Sequence, residues 1–71
     1  MKNDDSDPTI WFNRGNVHLS FNNEESIELA IEDYDKACEI SPTISKFFHA
    51  KGLAMQALAE CREDQIKKKN E

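Results

Sequence analysis

Pro8, Gly15, Pro42 and Gly52 are the only prolines and glycines among 71 residues. Small β-sheet proteins need a turn about every 8–12 residues, and those turns are rich in Gly, Pro and Asn. Four scattered breakers cannot supply them, which argues against a sandwich, a barrel or an extended disordered linker. What remains is a chain of long helices interrupted at a few points. Apolar residues make up 38% of the chain and charged residues 32%, enough for a small core. At roughly 100–200 residues per domain, the chain is one small domain or a piece of a larger one.

Three helices can be placed from local signals. Asp7 is a good N-cap, and Pro8 suits the first helical position. Ile10, Trp11, Gly15, Val17, His18 and Phe21 follow at helical spacing, so the first helix should run from Pro8 to about Phe21. Asn22 or Asn23 can cap the next helix, and Glu25 lies three residues after Asn22, as in a capping box. Ile27, Ala30, Ile31, Tyr34, Ala37 and Cys38 then form one stripe, with Glu28, Glu32, Asp35 and Glu39 on the other face. This predicts an amphipathic helix from about Glu24 to Ile40. Pro42 forces Ser41 out of the helical region and ends it. No Gly or Pro follows Gly52, so one long third helix is expected over about residues 44–68. It carries Phe47, Phe48, Leu53, Met55, Leu58, Cys61 and Ile66. Short connections fold consecutive helices back on one another. The predicted fold class is all-α, an antiparallel helix hairpin plus a long third helix. The expected organisation is an acidic leader (1–7), a helix hairpin (8–42) and a third helix extended into a charged tail (43–71).

Several function classes receive no support. A net charge of −5 repels phosphate backbones, so no nucleic-acid partner is expected. The basic run Lys67-Lys68-Lys69 reads as a solvated helix end that offsets the helix dipole. No stretch approaches the roughly 20 apolar residues that span a bilayer, so no membrane partner is expected. The acidic N-terminus has no apolar segment like that of a signal peptide, which makes the cytoplasm the default compartment. There Cys38 and Cys61 would stay reduced, as small, partly buried residues on helices. These two cysteines with His18 and His49 contain no Cys-x-x-Cys or His-x₃₋₅-His pair, so no metal site is expected. The isolated glycines form no phosphate-binding loop. Asp33 and Asp35 point to different sides of a helix and make no acid/base pair. Neither an enzyme nor a cofactor is implied.

The chain resembles itself at an offset of 37 residues. Trp11-Phe12-Asn13-Arg14-Gly15 matches Phe48-His49-Ala50-Lys51-Gly52, and His18 falls on Met55. A helical period of this size is the mark of stacked helix hairpins. Gly15 and Gly52, lacking a Cβ, should let another helix approach closely, and the small Ala30 and Ala37 should do the same. Trp11 and Tyr34 are large enough to fill the space between paired helices.

On these residues the chain resembles the tetratricopeptide repeat family. Trp11, Gly15 and His18 match the family's helix A. Ala30, Tyr34 and Ala37 match its helix B, and Pro42 its closing proline. Phe48, Gly52 and Met55 begin a second helix A. The resemblance covers about residues 8–56, or one and a half repeats, and implies a fragment of a right-handed solenoid. The repeat is three residues longer than the family's, with the addition in Phe21–Ser26. Arg14 and Lys51 stand where the family has Leu. The second unit has no helix B, and Glu60–Glu71 would be a polar capping helix.

The resemblance implies a non-catalytic protein–protein interaction module, a scaffold or adaptor that holds a peptide or helix on the concave helix A face. By register, that face would comprise Thr9, Phe12, Asn16, Leu19 and Ser20, then Lys46, His49, Leu53 and Gln56. A two-carboxylate clamp is not implied. Asn16 matches it, but Phe12 and Ala50 stand where its Lys and second Asn belong. The apolar positions Phe12, Leu19 and Leu53 favour an apolar or helical ligand instead. Phe12→Ala is expected to weaken partner binding without unfolding the domain. His18 should pack, and His49 should be exposed or touch a partner. Two alternatives remain: a homo-oligomer formed through the open stacking face, and a piece of a longer repeat protein.

Overall fold

The computed structural model describes residues 7–69, with side chains through residue 63. Residues 1–6 of the leader and the side chains of Ile66 and Lys67-Lys68-Lys69 lie outside the described residues. Three helices form an all-α domain: α1 (Pro8–Ser20), α2 (Glu24–Ile40) and α3 (Ser45–Lys69). The Asp7 side chain accepts from the Thr9 backbone N–H at 3.0 Å and opens α1, with Pro8 at the first position. α3 runs unbroken through Ala59-Glu60.

The cap of α2 falls on the second of the two expected residues. Asn23, not Asn22, is the N-cap, and its side chain accepts from Ser26 N–H at 2.9 Å. No capping box with Glu25 forms. Asn22 has φ of 56°, the left-handed conformation that Asn tolerates and that commonly ends helices. Its N–H bonds the Leu19 carbonyl at 3.1 Å, so Asn22 terminates α1 and cannot also start α2. At the other end of α2, Ser41 leaves the helix at φ −132°, ψ 82°, as the following proline requires.

Consecutive helices pack antiparallel. Leu19, late in α1, packs against the cluster that holds Ala30, while Trp11, early in α1, packs against the cluster that holds Ala37 and Cys38, later in α2. Arg62, late in α3, reaches back to Glu24 and Glu28 at 3.0 and 3.1 Å. α2 is therefore the middle helix and carries most of the buried residues. One core cluster is Ala30, Tyr34 and Ala54, and the other is Ala37, Cys38 and Phe47.

The two glycines behave differently. At Gly15 a Cβ would sit 2.5–2.9 Å from three ring atoms of Tyr34, so only Gly admits that ring. At Gly52 a Cβ would meet nothing within 4 Å. The expected close approach exists at Gly15 and is absent at Gly52, because no helix covers that side of α3. Phe48, taken with Gly52 as a packing position, is 49% exposed, whereas its neighbour Phe47 is 2% exposed.

Arg14 and Lys51 stay out of the core. The Arg14 guanidinium lies over the Trp11 ring at 5.1 Å, and Lys51 Nζ pairs with Asp35 at 2.8 Å. Both long side chains keep their charge at the surface, so neither position demands Leu.

Candidate functional site

Phe12 is placed by α1 but belongs to all three helices. Its ring centroid lies 5.8 Å from that of Tyr34 and 5.2 Å from that of Phe47, and it packs against both core clusters. Such tilted aromatic contacts add about 0.5–1.5 kcal/mol each beyond area burial. Half-buried, Phe12 thus packs on the core where α1 meets α3. The expectation that Phe12→Ala would spare stability is corrected on that ground.

Asn16, one turn further along α1, accepts a hydrogen bond from the Tyr34 hydroxyl. Burial pushes the Tyr34 phenol above its ordinary value, and the neighbouring Asp33 carboxylate pushes in the same direction. The phenol therefore stays protonated and donates. Leu19 is half-buried against the Ala30–Tyr34–Ala54 cluster, to which Ala50 of α3 also packs. Residues from α1 and α3 thus rest on one piece of core. The remaining expected contact residues are exposed. Lys46 Nζ lies over the Phe12 ring at 5.5 Å. His49 is exposed, and Leu53 is 50% exposed. Gln56 bonds Glu60 within α3 at 3.4 Å. At the margins, Thr9 is engaged by the Asp7 cap, and the Ser20 hydroxyl donates to the Val17 carbonyl at 2.7 Å. Asn16, Lys46, His49, Leu53 and Gln56 are all exposed.

Two hollows escape the register argument. One, of about 340 Å³, lies between the α1–α2 turn and α3 and is lined by Asn22, Ala57, Glu60 and Cys61. The other, of about 400 Å³, lies along the α1–α2 seam, with Trp11, Arg14, His18 and Asp33 in its wall. There His18 Nε2 approaches Asp33 Oδ2 to 3.5 Å, yet that buried oxygen has no hydrogen-bond partner. Among the described residues, the wall of this hollow also carries Glu32, Asp35, Lys36 and Glu39 of α2. Spacing rules within one helix cannot find a pair that only helix packing creates.

Both cysteines are free thiols, Cys38 buried and Cys61 half-buried. Burial raises the Cys38 thiol above its ordinary value, with Lys51 acting against and Asp35 adding to the rise. Among the described residues, no group of three or more His, Cys, Asp or Glu is arranged to hold a metal ion. Nor is any described helix long and apolar enough to cross a membrane. No family model matches the chain, and no curated protein or solved structure is significantly similar to it. The fold by itself defines an all-α, three-helix domain with consecutive helices packed.

Proposed function

We propose that the chain is a non-catalytic protein–protein interaction module related to the tetratricopeptide repeats, which holds a peptide or helix across α1 and α3. The observation that carries this reading is the exposure of Leu53 beside a fully assembled core. Leu53 is 50% exposed, while the next residue, Ala54, is fully buried. A large apolar side chain that the core does not use is available to a ligand. The packing of Gly15 against the Tyr34 ring supports the family resemblance, since both residues sit at its motif positions. Asn16, His49, Lys46 and Gln56 supply a polar rim, and Phe12 supports the floor from within.

The test begins with helical peptides selected by display against the intact chain. Leu53→Asp should weaken their binding at least about tenfold, while the urea midpoint barely moves. Equal loss of binding and stability, or peptides indifferent to Leu53, would overturn the proposal.

Self-association is the second reading. It is favoured by apolar side chains left exposed on the outer sides of α1 and α3, among them Val17, Phe21 and Met55. Light scattering across a concentration series decides it, because a strict monomer at high concentration removes the idea.

A further inference from the structure

Among the described residues, Asp33 Oδ2 is the one buried side-chain oxygen or nitrogen without a hydrogen-bond partner. Only 8% of the Asp33 side chain is exposed. A carboxylate taken out of water costs free energy unless a donor meets it. The group beside it, His18 Nε2 of α1, comes to 3.5 Å without forming a hydrogen bond. Both residues belong to the wall of the hollow of about 400 Å³ along the α1–α2 seam. That volume falls within the range of small-ligand sites.

The charge of the hollow sets the sign of a ligand. Its wall carries the carboxylates of Glu32, Asp33, Asp35 and Glu39 against the cations Arg14 and Lys36. Asp35 is already paired with Lys51 at 2.8 Å. The other three outnumber the two cations, so with His18 counted as neutral the hollow keeps a net negative charge. The resident cations do not meet the buried oxygen. Arg14 and Lys36 lie over the Trp11 ring, at 5.1 and 5.8 Å from its centroid. Among the described residues, neither forms an ion pair with a carboxylate. A cation with N–H donors is what the seam lacks.

The rest of the wall narrows the class of that cation. Among the described residues, no group of three or more His, Cys, Asp or Glu is arranged to hold a metal ion. The half-buried Trp11 and the 45% exposed Leu29 set apolar surface beside the carboxylates. An alkyl stem can lie along such surface while its charged head reaches a polar group. We propose that the α1–α2 hollow binds a primary alkylammonium group, with Asp33 Oδ2 as its buried acceptor and Trp11 and Leu29 along its stem. His18 is the second acceptor, because a neutral imidazole presents one unprotonated nitrogen. Its side chain is 26% exposed, which leaves the ring room to turn toward an entering donor. Two sources carry this chemistry: a lysine side chain of a partner protein and a free diamine or polyamine. Leu53 does not line the hollow, so the site stands or falls independently of the proposed peptide surface.

The test is an NMR titration of the isotope-labelled full chain with n-butylammonium chloride at constant ionic strength. Saturable shifts centred on Trp11, His18 and Asp33 are expected, with a Kd of roughly 1–10 mM. Tetramethylammonium has the same charge and no N–H donor, so it should bind at least about tenfold more weakly. Asp33→Asn removes the charge at nearly constant shape and should weaken butylammonium at least about tenfold. Leu29→Ser changes only an exposed part of the wall and should weaken it about threefold, which keeps the test decisive should Asp33→Asn unfold the chain. N-acetyl-lysine amide and 1,4-diaminobutane, titrated in parallel, separate the two sources. Tighter binding of the first points to a partner's lysine and of the second to a free polyamine, and either result supports the site. Absence of saturable shifts at about 50 mM butylammonium would overturn the proposal. So would equal binding of tetramethylammonium, unchanged affinity in folded Asp33→Asn, or shifts centred on Leu53 and His49.

Discussion

Gly15 and Gly52 occupy matching positions of α1 and α3, yet only one has a neighbour. Gly15 lies under the ring of Tyr34, and the α1–α2 seam closes around it. Gly52 faces solvent between two exposed apolar side chains, Phe48 and Met55. The same residue type in the same motif is a packing requirement in one place and a local weakness in the other. What separates them is whether a helix lies alongside. A motif records where a helix could be received, and the presence of that helix is a separate matter.

The largest test of this contrast is Tyr34→Ala. It removes a fully buried ring, its contact with Phe12 and its hydrogen bond to Asn16, and should cost about 3–5 kcal/mol. Urea denaturation measures it, and a loss below about 1 kcal/mol would mean the seam around Gly15 contributes little. Gly15→Ala comes next. The gain in helix propensity, about 1 kcal/mol, is opposed by overpacking against a ring that cannot leave its site, for about 1–3 kcal/mol. A net destabilisation is expected, and the same measurement detects it. Gly52→Ala should move stability the other way, upward by about 0.5–1 kcal/mol, because the new methyl meets nothing. If both glycine variants shift stability in the same direction, the contrast fails.

Alkaline pH probes the covered side of the comparison. The folded chain holds the Tyr34 phenol and the Cys38 thiol above 10.0 and 9.0, chiefly by burial. Lys51 is held above 10.5, chiefly by its hydrogen bond to Asp35. In all three the folded state keeps a proton that the unfolded chain has begun to release. Their contribution is complete below pH 9 and is lost as pH rises through these ranges. Thermal melts from pH 8 to 11 should fall progressively, and Tyr34→Phe should flatten the last part of the decline.

The helices were legible because their signals are local. Asp7 with Pro8, the apolar stripe of α2, and Pro42 each act within one or two turns, and the observed ends fall within a residue of expectation. Local signals left the cap of α2 open between Asn22 and Asn23, because Asn22 has two competing uses. A left-handed helix end and an N-cap exclude each other at one residue, and only the backbone path chooses between them. Phe12 was misread for a different reason. Helical register places it on the α1 face that looks toward α3, but register does not say how near α3 comes. At 5.2 Å between its ring and that of Phe47, the side chain packs on the core and is half-buried. His18 was expected to pack, and it is half-buried, but its partner Asp33 lies across a helix pair that no spacing rule joins.

The sequence alone determined the number, order and limits of the helices and the stripe that α2 buries, since these depend on capping, backbone sterics and a 3.6-residue period. It also determined that α1 and α3 carry the same pattern of faces. Tertiary structure decided which copy of each face is used. α2 has two sides and covers the glycine side of α1 and the opposite side of α3. Burial requires a second surface at the right distance, and that distance is a property of the packed helices, not of either helix by itself.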